Sequence, residues 1–375
     1  MKSFQVLKSV RGLFALAFVV HHSHILHSIT ELAFFKSVHY LVLLFFAFSG
    51  FVLYQRHANA LGSTQQWRQF MLNRTCRVYP LHLFMLLVFI GFECVKLILE
   101  RRGITLNNAS FSGDRAPSEI LPNLVLLQAW WPGANPLSFN YPSWYVSVEY
   151  YVYLLFGLIA LALPTQANKV FLVIAACALL ALSLGGSPLS DNVLRGVGCF
   201  LAGGVTYRVY ARLQGLRPGL WLGSVLEIMI LLLLYGVMTL SGAPQDALLS
   251  LLFCVAIGVF AFEAGMVSRL LRKGRFVWLG RRWLSIYMTH AAVLFMTTIG
   301  VMIVAKTTGL PLMVEIAGVR TISLGSALFD NLLVFGEVVV VLVVSMFTYR
   351  YVEKPGIALG RKAAFANKLA PTVRG

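Results

Sequence analysis

An all-α integral membrane protein, a bundle of ten transmembrane helices with both termini cytoplasmic and no appended soluble domain, is the fold class the sequence predicts. Three observations predict it. Of the 375 residues, 58% are hydrophobic and 12% charged, where an average soluble chain carries about 25% charged residues. Ten apolar runs are each long enough to cross a hydrocarbon core of about 30 Å, which takes roughly 20 helical residues. The basic residues fall unevenly between alternate connecting segments.

The runs occupy approximately 6–26, 38–56, 79–99, 144–163, 169–185, 193–211, 220–240, 247–265, 283–304 and 328–350. With the N-terminus placed in the cytoplasm, the inner segments hold 22 Lys and Arg and the outer segments 8, Arg11 aside. The positive-inside rule therefore sets the orientation. The same bias accounts for the net charge of +17 without nucleic acid, because cytoplasmic cations sit beside anionic headgroups. No nucleic-acid-binding motif accompanies them. The first run follows Lys2 and Lys8 as a secretory signal would, but Arg11, four histidines and the lack of a small-residue cleavage site argue for a retained helix. The five cysteines, four of them in apolar runs and none in a C-x-x-C pair, suggest neither a disulfide framework nor a zinc site. One domain is expected over 1–355, followed by a basic cytoplasmic tail, 356–375, without order of its own.

Three connecting segments stand out. In 57–78, Ser63 or Thr64 can cap a short helix whose Trp67, Phe70 and Met71 recur at helical spacing, lying along the inner membrane surface. The outer loop 100–143 is rich in Asn, Ser, Pro and Gly and ends near Trp130 and Trp131, which either stack on a sugar or sit at the interface. The outer loop 306–327 reads as a lid or a re-entrant segment. No internal repeat suggests the inverted halves of many transporters.

The chemistry concentrates in five clusters. Arg11 and His22 stand eleven residues apart in the first run, which returns them to within about 20° of one helix face, roughly 16 Å apart along the axis. Ionisable groups facing lipid are costly, so such a pair points inward. His21 is turned about 80° from that face. His21, His24 and His27 have a spacing that suits a metal, but no carboxylate or cysteine stands nearby and no metal is expected. Ser49-Gly50 in the second run permits close backbone approach. Arg74 and Arg77, three apart, share a face and either grip an anion such as a phosphate or simply set topology. Glu149 lies two turns into the fourth run with Tyr145 and Tyr153 at i−4 and i+4, a neighbourhood that keeps a carboxylate in a polar seam. His290 sits one to two turns from the cytoplasmic end of the ninth run, in a packing or a functional role. By depth, His22 and Glu149 each fall about 20 Å above the inner face. Arg11, Arg74 and Arg77 fall near the inner boundary.

Together these clusters resemble the acyltransferase-3 family of integral-membrane acyltransferases. The resemblance is carried by Arg11-Gly12 with His22, Phe46-Ala-Phe-Ser49-Gly50-Phe51, Arg74-x-x-Arg77-x-Tyr79-Pro80, Trp144-x-x-Ser147-Val148-Glu149, Gly280 with Ser285-x-Tyr287-x-x-His290, and Tyr349-Arg350-Tyr351-Val352-Glu353-Lys354-Pro355. It implies transfer of an acyl group, most often acetyl from cytoplasmic acetyl-CoA as co-substrate, to a hydroxyl of a surface glycan or its polyprenyl-linked precursor in a bacterial inner membrane. No bound cofactor is expected. By the same resemblance Arg11 and His22 are the functional pair; the match and the shared depth of His22 and Glu149 together lead to the expectation that His22 is the general base or acyl carrier and that Glu149 orients it. Arg74 and Arg77 contact CoA. Ser49, Trp144, Ser147, Tyr287 and His290 stand in the matched motifs as substrate or CoA contacts. Tyr145-Val146 replaces the usual Ser-Leu, and Tyr150 a frequent Glu or Trp. The competing reading from another class is a transporter or flippase of a lipid-linked sugar, with the charges as a proton relay.

Overall fold

A computed structural model describes residues 3–57, 61–104, 108–240, 245–316 and 318–369. Each of the ten apolar runs coincides with a helix: α1 Gln5–His22, α2 Leu41–His57, α3 Thr64–Arg101, α4 Ser143–Ala162, α5 Ala167–Leu184, α6 Asp191–Leu213, α7 Leu220–Thr239, α8 Gln245–Phe262, α9 Trp283–Thr308 and α10 Ala327–Thr348. Seven are long and apolar enough to cross a membrane, those built on α2, α3, α4, α5, α7, α9 and α10. The other three fall short for identifiable reasons. α1 carries Lys8, Arg11 and two histidines, α6 carries Asp191, Arg195, Arg208 and Arg212, and the apolar stretch Asp246–Phe262 of α8 is short.

The chain divides into two compact units, Met1–Phe48 with Arg208–Met346, and Ser49–Tyr207 with Phe347–Gly375. In the first, α1 packs along the short helix Gly274–Arg281 and α9. Glycine makes that packing possible. A Cβ on Gly12 would lie 2.6 Å from the Gly280 nitrogen, and one on Gly280 would collide with the Lys8 carbonyl. Small residues let helix backbones meet in this way where no hydrophobic driving force exists between helices in lipid. Phe18, Phe45, Trp283 and Tyr287 fill the space above the crossing, with ring centroids 5.1–5.9 Å apart.

The outer loop 306–327, expected as a lid or re-entrant segment, is instead a β-hairpin. β1 Met313–Ile316 pairs antiparallel with β2 Val319–Ile322 in the register Met313↔Ile322 to Ile316↔Val319, and Gly318 supplies the positive φ the turn needs. This is the one departure from an all-α fold among the described residues. Its inner strand clamps the chain leaving α1: Ile322 N–H donates to the His24 carbonyl (2.8 Å) and Leu26 N–H to the Ile322 carbonyl (2.9 Å). Val20, Ile25, Ile322 and Val334 close over that junction.

In the second unit α3 runs unbroken for 38 residues through Pro80. The short surface helix expected before the third span is therefore the first turns of α3 itself, capped by Ser63, whose hydroxyl accepts from Gln66 N–H. Trp67 and Phe70 do not lie on a membrane surface but pack on α4 at Gly157; residues 58–60 of that stretch lie outside the described residues. Gly50 gives α2 close contact with the Phe200 backbone of α6. The tail expected without order is also corrected. After a π-helical turn, Tyr349–Glu353, the chain forms a further helix, α11 Lys354–Leu369, whose Gly356 and Gly360 pack on Asn73, Cys76 and Pro80 of α3. Residues 370–375 lie outside the described residues.

Candidate active site

The Gly12–Gly280 crossing sets the register of the first cluster. His22 stands ten residues beyond Gly12, about 15 Å along α1 at 1.5 Å per residue, His290 stands ten beyond Gly280 across the break at Arg282, and they meet. His290 Nε2 lies 3.2 Å from His22 Nδ1, with the rings stacked at 5.1 Å. Depth counting along separate runs had put His290 well below His22. The structure removes that separation, because α9 starts level with the second turn of α1 rather than with its beginning. At the lower end of the same seam the Arg11 guanidinium lies between two aromatic faces, 4.4 Å from Phe48 and 4.3 Å from Trp283. Cation–π contact of this kind holds a guanidinium in apolar surroundings. Trp283, Tyr287 and His290 follow at i, i+4 and i+7, one face of α9.

Hydrogen bonds settle how the two imidazoles share their protons. His290 Nδ1 is 2.6 Å from the Tyr287 carbonyl, which only accepts, so Nδ1 carries the proton and Nε2 the lone pair. His22 Nδ1 faces the Phe18 carbonyl at 2.9 Å and that lone pair at 3.2 Å. It must donate to both. In the neutral ring the lone pair of His22 is then at Nε2. His21 lies edge-on to His22, ring centroids 4.8 Å apart, with its own Nδ1 against the Phe35 carbonyl at 2.6 Å. Ser23, directly after His22, donates to the Glu337 carboxylate (2.5 Å) and to the Val19 carbonyl (3.0 Å).

The second unit holds the remaining residues. Glu149 is buried, and its Oε1 accepts from Ser49 Oγ (2.5 Å) and Tyr145 OH (2.7 Å). The two arginines of α3 part company. Arg77 forms an ion pair of 2.7 Å with the fully buried Glu353 of the π-helical turn. Arg74 makes no ion pair among the described residues, its Nε has no hydrogen-bond partner, and its guanidinium lies about 6 Å from the Phe70 and Tyr153 rings. Arg56, His57 and Glu149 are within electrostatic reach of it.

Ser147 and the tryptophans hold the outer loop. Ser147 Oγ donates to the Leu126 carbonyl (2.6 Å) and accepts from Ala129 N–H (3.2 Å), while Trp130 Nε1 donates to the Ser147 carbonyl (3.2 Å). Trp130 packs edge-on against Tyr151. Trp131 is 56% exposed and Trp144 half-buried. The loop is pinned a second time by Glu93, which takes Arg115 at 2.8 Å, Lys96 at 3.1 Å and the Phe111 N–H at 2.9 Å.

The buried carboxylates Glu227, Glu337, Glu93 and Asp330 escaped the sequence reading, and Glu353 stood in it only within a matched motif. The signal for the first two was present, since each is a lone acid inside an apolar run. Glu227 is architectural, accepting from Gly265 N–H (2.9 Å) and Ser268 N–H (3.1 Å) at the start of the helix Met266–Leu271.

Long apolar helices whose ionisable side chains turn inward, toward each other and toward aromatic rings, define a polytopic integral membrane protein with polar clusters in its interior. Residues 5–350 match the acyltransferase domain of the acyltransferase-3 family, and the chain belongs to that family. Acyltransferase MdmB of Streptomyces mycarofaciens is similar, 32% identical over 118 residues. The matched stretch is 31% of this chain and 27% of that protein, so the likeness spans about a quarter of the relative. No solved structure is significantly similar. These matches lend no support to the flippase reading.

Proposed function

We propose that this protein is a bacterial inner-membrane O-acyltransferase. It moves an acyl group, acetyl by preference, from cytoplasmic acyl-CoA to a hydroxyl of an extracytoplasmic or polyprenyl-linked glycan, as in exopolysaccharide or lipopolysaccharide modification. Its membrane domain is a bundle of ten transmembrane helices with cytoplasmic termini. α1, too polar to qualify by composition, is counted among them because Arg11 is covered by Phe48 and Trp283, and α6 and α8 are counted from their apolar runs.

The observation that carries the reading is His22, its Nδ1 proton held by a carbonyl and a second imidazole, in a chain that matches an acyltransferase domain over residues 5–350. A lone pair at Nε2 suits a general base. It removes the acceptor hydroxyl proton as the oxygen attacks the thioester carbonyl; the C–O bond forms, the C–S bond breaks, and the proton passes to the departing CoA thiolate. The same lone pair suits transient acylation of His22. Arg74 takes a CoA phosphate, a role supported by its lack of an internal ion pair. Arg77, engaged by Glu353, keeps α3 and the π-helical turn together and contacts the donor only from that fixed position. Arg11 holds α1 in register, and Glu149 supplies negative charge near Arg74.

The test is His22→Ala in the native host, with O-acetyl groups on surface polysaccharide measured by proton NMR. Loss of acetylation by a correctly inserted variant is expected. Unchanged acetylation would overturn the reading.

A further inference from the structure

The two histidines are unequal, and their hydrogen bonds say which serves the other. His290 is fully buried, and both its ring nitrogens are engaged: Nδ1 with the carbonyl of its own helix turn at 2.6 Å, Nε2 with His22 at 3.2 Å. His22 enters this network through Nδ1, which donates toward the Phe18 carbonyl and toward the lone pair of His290 Nε2. We infer that His290 is a positioning residue that acts through His22, an uncharged counterpart of the carboxylate that orients a histidine base. This rests on the proposed role of His22 and goes beyond the substrate-contact role expected of His290 from its motif.

The argument is one of proton bookkeeping. For Nε2 of His22 to accept a proton, Nδ1 must hold one, and a group that can only accept at that point must face it. The Phe18 carbonyl alone lies within the same helix and moves with it. His290 Nε2 arrives from α9 and fixes the ring plane against rotation about the side-chain bonds. When His22 becomes imidazolium in the transfer step, Nδ1–H strengthens as a donor toward the same lone pair, and no charge has to be buried permanently to achieve this. A carboxylate in that place would do more for the imidazolium, but its own burial in an apolar helix pair would be costly. Register supports the assignment. The backbone contact of Gly12 with Gly280 brings the start of α9 against the second turn of α1, and the Arg11–Trp283 contact holds that register below the two rings.

Two variants and one control test this in the full-length protein reconstituted in lipid nanodiscs. His290→Gln keeps an acceptor oxygen within reach of His22; His290→Leu keeps volume and removes it. Acyl-CoA turnover, read as free CoA released in the presence of acceptor glycan, is expected to fall about 100-fold in kcat for His290→Leu, the size of a general-base contribution. KM for acyl-CoA should stay within about two-fold, and His290→Gln should recover at least about a tenth of the wild-type kcat. Nitrogen-15 NMR of histidine-labelled protein gives a readout independent of turnover. The His22 signals, assigned by their loss in His22→Ala, should show Nδ1 protonated and Nε2 bare in the wild type and in His290→Gln, and a mixture of tautomers in His290→Leu. Equal kcat for the two His290 variants, or a proton on Nε2 of His22 in the wild type, overturns the inference. Failure of the functional reading looks different, since His22→Ala would then keep full turnover while the NMR signature persisted.

Discussion

The histidine cluster on α1 and α9 and the arginine cluster on α3 solve the same problem, polar groups inside apolar helices, by opposite means. The hydrogen bonds that join His22 to His290 and each ring to its own helix are between neutral groups: the Phe18 carbonyl on His22, the Tyr287 carbonyl on His290, and the two imidazoles. Around Arg74 and Arg77 the groups are formally charged, and compensation is uneven, with Glu353 on Arg77 and no ion pair on Arg74. Neutral rings are inexpensive to bury once hydrogen-bonded, whereas an uncompensated buried cation costs several kcal/mol. A neutral cluster can thus exist complete in the resting protein. A half-buried guanidinium with no ion-pair partner is the mark of a place where an anion is expected to arrive.

The largest effect should come from the neutral side. His22→Ala removes the lone pair and is expected to lower acyl transfer by about 100- to 10,000-fold, with a loss of about 1–3 kcal/mol of stability because the buried Nε2 of His290 loses this donor. Released CoA and circular dichroism in detergent measure the two. A comparable loss on Arg74→Leu with none on His22→Ala would reverse the assignment of chemistry to one cluster and binding to the other.

Next come the arginines, where a single class of substitution should give two outcomes. Arg77→Leu removes the cation paired with the fully buried Glu353 carboxylate and should destabilise the fold by about 3 kcal/mol. The double variant Arg77→Leu/Glu353→Leu should recover most of that, because replacing both members of a buried pair by apolar groups is close to neutral. Arg74→Leu breaks no ion pair and only withdraws a positive charge from the neighbourhood of Glu149. It should leave stability unchanged or slightly raised, and raise KM for acyl-CoA about 10- to 100-fold through loss of one charge-assisted contact of roughly 1.5–3 kcal/mol. Thermal unfolding and steady-state kinetics on the same preparations separate the cases. If both variants behave alike, the arginines form one unit and the contrast is lost.

That contrast marks the boundary of what the chain could reveal in one dimension. Arg74 and Arg77 were legible as a pair because three residues is a fixed angle on a helix. Glu353, which makes them different, lies far along the sequence, and no local spacing links it to Arg77. The same holds for His22 and His290. Each was legible as an ionisable group in an apolar run, but their meeting depends on the backbone contact of Gly12 with Gly280, a register between helices that hydropathy does not encode. The hairpin was legible in principle. Met313-Val-Glu-Ile316 and Val319-Arg-Thr-Ile322 around Gly318 have the short β-branched runs and central glycine of a two-stranded turn, masked by the expectation that a segment between spans is loop. Glu227 and Glu337 stood out by the same rule that selected Glu149. Their different fates, a helix cap and a serine partner, show that an intramembrane acid marks a buried hydrogen-bonded site without saying which kind.

The smallest expected effect probes Glu149, where the two strategies overlap: a carboxylate held by neutral hydroxyls. Ser49 and Tyr145 both donate to Oε1, so Ser49→Ala leaves that oxygen one donor and should cost only about 1 kcal/mol, as should Tyr145→Phe. The double variant leaves it buried with neither donor, and the penalty for an unsatisfied buried acceptor, about 1–3 kcal/mol, then appears in full. The combined loss should exceed the sum of the single losses, since groups sharing one acceptor are not independent. A double-mutant cycle on unfolding midpoints in detergent measures this coupling. Simple additivity would mean that a third group holds Glu149, and the carboxylate would then belong with Glu353 among the ion-paired supports instead of with the hydroxyl-bound groups.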